Sequence, residues 1–426
     1  MLRYLSIGAV IVLAASACDR FLNEPNPSTV LSSTLQQPQN AGIMVASAVA
    51  DFDCAYAQYV LATGLTSDEL LNGQLQSVAF DNDRRTMSTT NTGNNTGFVC
   101  ESNTQTVAFY TPIQIARQDG DTATKLLKIW TDAQVPNRQD LLAQAEAYAG
   151  YADLLMGEGM CTTAIDGGPQ ISADSALGVA EAHFTDAIAN AMAAGDASTL
   201  GLATLGRARA RLDRGKSALA KADAQQIPAN FEVDATYSSI SQRTENRVWS
   251  QMFHDQFAGV EGPFQHATDP ALPPGTGAPD PRVQTDSLGA TGANGVPIIA
   301  ALKYSTVSTP IPIAKSAEAQ LIIAEADVDA GDFAGAHAIL DALESAVQLD
   351  SFPTFTDSAT AISAVIAVRS RELFLEGHRL SDFIRHKLPL NPPAGTPYPY
   401  GAGGFYGSQL CYPLPAIESL NNPNIH

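Results

Sequence analysis

Hydrophobic positions recur at helical spacing along the chain. Ala314, Ala317, Leu321, Ala324 and Val328 are spaced 3, 4, 3 and 4 residues apart, which puts them on one helix face. After Ala330-Gly331-Asp332 the same spacing resumes at Phe333, Ala336, Leu340, Leu343 and Val347. Glycine at the break suits a turn. The pattern therefore predicts an αα-hairpin of 34 residues, the length of a tetratricopeptide repeat.

The hairpin has echoes upstream. Leu212 to Ala218 lines up with Val328 to Ala334, and Ala220 and Ala222 fall opposite Ala336 and Ala338. A third turn, Ala194-Gly195-Asp196, follows a helix whose apolar face is Leu177, Ala180, Phe184, Ile188 and Ala191. A fourth helix is expected from about Asp140 to Met156, ending at Gly157. Alanine on inner faces lets helices approach closely, and each hairpin exposes an apolar face until a neighbour stacks on it. The expected fold is mainly α: a tetratricopeptide-like scaffold, helical over about 138–225 and 312–385, with long irregular loops and little β.

Composition narrows the function classes. The 426 residues carry 24 Lys+Arg against 44 Asp+Glu, a net charge of −20, which opposes nucleic acid and anionic lipid. No apolar stretch beyond the N-terminus approaches 18 residues, so a multi-pass membrane fold is excluded. Arg3, an apolar run from Leu5 to Ala15, and the small residues Ala15-Ser16-Ala17 before Cys18 look like a bacterial lipoprotein signal. Residues 1–17 would be removed and Cys18 acylated, leaving a single domain over 18–426 held to a membrane by its N-terminal lipid alone. The alternative is an ordinary cleavage that leaves Cys18 a plain thiol.

Four cysteines remain, Cys54, Cys100, Cys161 and Cys411, which an exported protein would join in one of three pairings. Cys54–Cys100 and Cys161–Cys411 are favoured: the first closes a polar segment and the second ties the C-terminus to the helices. Their spacings match no metal site, and no cofactor is expected. Asp327, Asp329 and Asp332 resemble part of a calcium loop, but Gly331 and Ala338 break its pattern.

Three segments fall outside the helical pattern: 72–110, rich in Asn and Thr; 228–312, rich in Pro and Gly; and about 388–410. Long irregular segments in a compact protein are usually functional. The second holds Trp249, Phe253, Phe257 and Phe264, and the third holds Tyr398, Tyr400, Phe405 and Tyr406. Exposed aromatic faces stack on sugar rings, so Trp249, Phe253, Phe257, Tyr398, Tyr400 and Tyr406 are the candidate ligand contacts. Trp249 has a second reading, packing its loop onto the scaffold. Trp130, behind Leu126, Leu127 and Ile129, is expected in the core. The sequence carries no G-x-S-x-G, H-E-x-x-H or phosphate-binding G-x-x-x-x-G-K motif, and no catalytic residue is assigned.

The C-terminal third is more specific. Arg369-Ser370-Arg371-Glu372-Leu373-Phe374-Leu375-Glu376-Gly377-His378-Arg379, followed by Asp382-Phe383-Ile384-Arg385, resembles the R-x-x-E-L-x-x-E-G-x-R-x-x-D-L-x-R stretch of the SusD/RagB family. Tyr412 to Glu418 with Asn422-Pro423-Asn424, Asp280-Pro281-Arg282, and the opening Cys18 to Pro25 are similar to further family elements, in family order. His386-Lys387 departs from the pattern, standing where the family often has Trp-Gly. Physically the long motif reads as structure. Arg369–Glu372, Glu376–Arg379 and Asp382–Arg385 would be i, i+3 ion pairs on a helix, each worth ~0.2–0.5 kcal/mol, with Gly377 admitting a close neighbour. The resemblance implies an outer-membrane, surface-exposed lipoprotein that captures a nutrient, usually a glycan. It would pass the ligand unaltered to a TonB-dependent, SusC-like transporter barrel. A tetratricopeptide-type envelope adaptor is the alternative, and a glycan hydrolase comes third.

Overall fold

The computed structural model describes residues 32–75, 77–89, 100, 108–401 and 403–425. The expected leader, Cys18 and most of the Asn/Thr-rich stretch lie outside the described residues. At the centre is a helix, α1 (Ala41–Thr66), buried on every side from Asp51 onward. Its sequence explains this, because Ala55, Ala57 and Ala62 alternate with Phe52, Tyr56, Tyr59 and Leu61 around the whole circumference. After a short strand β1 (Leu70–Asn72) and helix α2 (Ser77–Asp83) come α3 (Tyr110–Ile129) and α4 (Arg138–Gly159). A small hairpin, β2 (Thr162–Ala164) and β3 (Gln170–Ser172), leads to α5 (Ala173–Ala194), α6 (Ala197–Asp213) and α7 (Ser217–Ala224).

The repeated turn chemistry is visible in the caps. Gly195 ends α5 in the left-handed conformation (φ 73°), and the Asp196 carboxylate accepts the Ser198 and Thr199 N–H groups at 3.0 and 3.1 Å to start α6. The predicted hairpin repeats this arrangement. Helix α8 (Ser316–Ala330) stops at Gly331 (φ 78°), and Asp332 caps α9 (Phe333–Ala346) through the Gly335 N–H. The expected end of the fourth helix at Gly157 is overturned: α4 continues to Gly159. Gly157 sits inside it because a Cβ there would lie 2.6 Å from Leu177 Cγ, so its lack of a side chain serves helix contact rather than termination. Phe184 likewise wedges between Gly150 and Gly206.

Helix α7 packs on α8, joined by Lys221–Asp327 and Ser217–Asp329, so the two helical groups form one stack despite the segment between them. That segment is less irregular than its Pro and Gly content implies. It contains β4 (Glu232–Ala235), β5 (Ala258–Val260), β6 (Thr285–Thr291), β7 (Pro297–Ala301) and β8 (Ile311–Lys315). They form antiparallel pairs β1–β5, β4–β8 and β6–β7. Ala314 therefore lies on β8 and not on the helix face assigned to it, since β8 runs straight into α8 at Ser316. Trp130 is only partly buried, against a small cluster with Leu127 and Val135.

The C-terminal motif is where the structure corrects the sequence most. Helix α10 (Ser358–Glu372) ends before Leu373, the chain reverses through Leu375 (φ 55°) and Gly377 (φ 76°), and α11 (Arg379–His386) starts beyond. Leu373, Phe374 and Leu375 turn into the core, and burial of those three side chains favours the reversal over a continued helix. Two of the three expected ion pairs are therefore not formed. Arg369 pairs with Asp382 at 3.0 Å, Glu372 with Arg282 at 3.1 Å, and Arg379 with Asp68 at 2.7 Å. Glu376 receives both Lys303 and Lys315 at 2.6 Å. Only Asp382–Arg385 is made as expected, at 2.8 Å, and Arg385 also reaches Glu325 and Asp213. The locking role expected of the motif stands, but across elements: Gly377 presses on Tyr59 of α1, where a Cβ would come within 3.1 Å. Disulfides join Cys54 to Cys100 and Cys161 to Cys411, the latter beside Tyr412, whose hydroxyl donates to Ala62 of α1 at 2.7 Å. Among the described residues no helix is long and apolar enough to cross a membrane.

Candidate functional site

The aromatic segments singled out from sequence converge around β1 and the residues that follow it. Gly73 donates to Phe257 O at 2.8 Å, and a Cβ on Gly73 would lie 3.0 Å from Gln256 O, so only glycine lets these backbones meet. Asn294 reaches Asn72 O at 2.5 Å from the β6–β7 turn. Gly401 comes so close from the C-terminal loop that a Cβ there would fall 2.3 Å from Phe80 and 3.2 Å from Asn294. Four stretches of chain, distant in sequence, thus share one locus.

On one side, Asn246 accepts the Trp249 N–H at 3.0 Å and starts a single helical turn, which widens into a π-turn over Ser250–His254. This places Trp249 and Phe253 four residues apart and stacked, with ring centroids 5.6 Å apart and planes at 16°. Both rings are half-buried against the main core, and the Trp249 indole N–H has no partner among the described residues. Phe257 is half-buried beside them. The Gln251 side-chain oxygen accepts from Gln74 at 3.1 Å, tying the π-turn to the β1 segment.

On the other side the C-terminal loop folds back on itself, the backbone N–H of Tyr406 donating to Thr396 O and that of Tyr398 to Gly404 O, each at 2.9 Å. Here the candidate set divides. Tyr398 and Tyr406 are buried in a cluster with Phe80 and do not offer a face to a ligand, whereas Tyr400 is half-buried at its edge. The reason is the Arg84-Arg85 pair. Arg84 stands over Phe80 and Tyr398 at 5.6 and 5.8 Å, and Arg85 over Tyr406 at 5.1 Å. Arg84 also donates to Gly403 O at 2.7 Å, and Arg85 to Gly407 O and Pro392 O, which pins the loop. The exposed aromatic of this loop is instead Phe405, at 63%.

Two acids, Asp83 and Glu261, set the electrostatics beside the aromatic cluster. Asp83 accepts the Tyr398 hydroxyl at 2.7 Å and the Asn72 N–H at 2.9 Å, yet burial pushes it up to about 6. Burial, together with the Asp83 charge, holds Glu261 at about 7. Sequence reading missed Gln74, Asp83, Glu261 and the arginines. Arg84-Arg85 is the one adjacent arginine pair in the chain, and that was the signal available. No group of three or more His, Cys, Asp or Glu able to hold a metal occurs among the described residues.

No family model matches the sequence, and no curated protein matches it either. Solved structures do. The chain is similar to a SusD-like carbohydrate-binding protein from Bacteroides vulgatus, with a TM-score of 0.67 at 14% identity, covering 92% of this chain and 97% of that one. SusD-superfamily proteins from Bacteroides fragilis (TM-score 0.65, 12% identity) and Bacteroides thetaiotaomicron (TM-score 0.63, 12% identity) match equally broadly, each covering 92% of this chain and 99% of theirs. The likeness is one of fold and extends over 92% of the chain.

Proposed function

We propose that this chain is a SusD/RagB-family surface lipoprotein that captures a glycan and delivers it, chemically unchanged, to a SusC-like TonB-dependent transporter barrel. The observation that carries the reading is the near-complete superposition on a carbohydrate-binding protein of this fold, joined to motif residues that hold the same stack together. Cys18 supplies the lipid anchor to the outer membrane in this account, and the mature domain stands clear of the bilayer on it.

The aromatic locus supplies the recognition. The stacked pair Trp249–Phe253 and the rim residues Tyr400 and Phe405 present flat apolar faces to sugar rings, and Gln74, Gln251 and Asn294 fix the loops that carry them. With two tryptophans in the whole chain, the site suits an oligosaccharide rather than a long polysaccharide. Testing requires the full chain in non-ionic detergent on a panel of immobilised glycans and peptides. Saturable binding to one glycan class, lost in Trp249→Ala and recovered unmodified, is the expected result. A folded protein that binds no glycan but retains a peptide or an envelope protein would replace this reading with the adaptor one.

A further inference from the structure

A groove elsewhere on the molecule shares no residue with the aromatic locus. It lies at the start of α3 and measures 490 Å³, within the range of about 300–1,000 Å³ usual for small-molecule sites. Tyr110, Gln114 and Asp119 form one wall and Asp166, at the tip of the β2–β3 hairpin, a second. The third is a short helix, α12 (Ala416–Asn421), through Glu418 and Asn421. Ile115 and Ile417 give it apolar patches.

The walls are fixed in place. Gln114 donates to Ala164 O at 2.8 Å and to the Tyr110 hydroxyl at 3.2 Å, and accepts from Arg117 at 3.0 Å. Asn422 and Asn424 donate to Gly168 O and Gly167 O at 2.7 and 2.8 Å, clamping α12 to the hairpin, and Cys161–Cys411 ties the preceding segment to the start of β2.

The charge is unbalanced. Arg117 is spent on Asp121 at 2.6 Å and Asp166 at 2.9 Å, Lys125 lies 3.5 Å from Asp166, and Arg243 is held by Asp51. Against those three cations stand five carboxylates, because Asp119 and Glu418 add to Asp51, Asp121 and Asp166. Asp119 hydrogen-bonds to Asp51, which requires a shared proton, and burial with that neighbour raises it to about 7. Glu418 has no cation beside it among the described residues; its contact is the Tyr110 hydroxyl, whose ionisation burial and Glu418 together oppose. An amide (Asn421), a phenol and an unpaired carboxylate therefore converge over aliphatic patches.

We propose that this groove binds a hexosamine unit carrying a free ammonium group, with Glu418 as the counter-ion and Asn421 and Tyr110 on the sugar hydroxyls. The inference deepens the glycan reading and rests on it for the sugar body; the charge argument is independent of it. The test is calorimetry on the full chain in non-ionic detergent. Titrants are the β-1,4-linked glucosamine disaccharide, its N-acetylated form and lysinamide. The free-amine sugar binds saturably, at least tenfold tighter than the acetylated one; the preference falls at least fivefold in Glu418→Gln, and both disaccharides weaken at least fivefold in Asn421→Ala. Equal binding of the two disaccharides, absence of binding, or indifference to both substitutions overturns the proposal, as does lysinamide binding as tightly as the sugar. Neutral-glycan binding undiminished in Trp249→Ala, with amine selectivity retained, would instead retire the aromatic-locus reading alone.

Discussion

Glu376 offers the sharpest test of how the C-terminal motif holds the fold. Its Oε1 accepts from Lys303 and Lys315 at 2.6 Å each, and the carboxylate is 1% exposed. Glu376→Gln keeps the shape and strands both ammonium groups. Breaking a buried ion pair costs about 3–5 kcal/mol. The lysine side chains retain 20% and 14% exposure and each keeps a backbone carbonyl, Phe374 O or Glu372 O, so the lower end, about 3 kcal/mol, applies. Double-mutant cycles identify the partner. Coupling between Glu376→Gln and Lys315→Met should reach about 1–3 kcal/mol. Coupling with Arg379→Met should stay below about 0.5 kcal/mol, because Arg379 is committed bidentately to Asp68. Urea unfolding followed by circular dichroism reads all of these. Stronger coupling to Arg379 than to Lys315, or a single variant indistinguishable from the parent, would refute the assignment.

Further expectations follow from the packing and the buried acids. Lys387 holds a left-handed conformation (φ 49°) at the end of α11, so Lys387→Gly should stabilise by about 1 kcal/mol in the same urea assay. Gly206→Ala drives a Cβ to 2.5 Å from Phe184 and should cost about 1–3 kcal/mol, whereas Gly42→Ala, with no atom of the described residues within 4 Å, should cost nothing. Glu69 is pushed up to about 8 by burial, one oxygen accepting from Leu375 N–H and the other without a partner among the described residues. The native state thus holds a proton the unfolded chain releases above about 4.5, and its contribution to stability is lost as pH rises from there through about 8. Glu69→Gln should therefore gain on the parent between pH 5 and pH 9; a constant difference in melting temperature would contradict this. Removing Cys161–Cys411, which spans 250 residues, should destabilise by about 2–5 kcal/mol on thermal melting.

The helical scaffold was legible because its signals are local. Spacing of Leu321 to Leu343 and the Gly331-Asp332 turn depend on a few neighbouring residues, and α8 and α9 fall where the pattern puts them. Long-range partners were not legible. Arg369 and Asp382 stand 13 residues apart across a chain reversal, and Glu376 finds its lysines from β8 and the end of β7, so an i, i+3 reading assigned the wrong contacts. Two strands of 228–312 were hidden for a related reason, since β4 and β5 are short and pair with β8 and β1 far along the chain, while the β6–β7 hairpin is obscured by a register shift between Ser287 and Thr291. In the candidate site, residue type marked the aromatic segments correctly but not their exposure. Tyr398 and Tyr406 read like Tyr400 and Phe405 until Arg84 and Arg85 are seen to cover them.

The most direct measurement uses the scarcity of tryptophan. With Trp130 replaced by Phe, Trp249 is the one indole left, so its fluorescence reports from the proposed site itself. Titration of the full chain with oligosaccharide pools should give a saturable change in emission for one glycan class, and the sugar should be recovered intact. Glycan binding detected by calorimetry with no change in Trp249 emission would contradict the account of where this protein recognises its ligand.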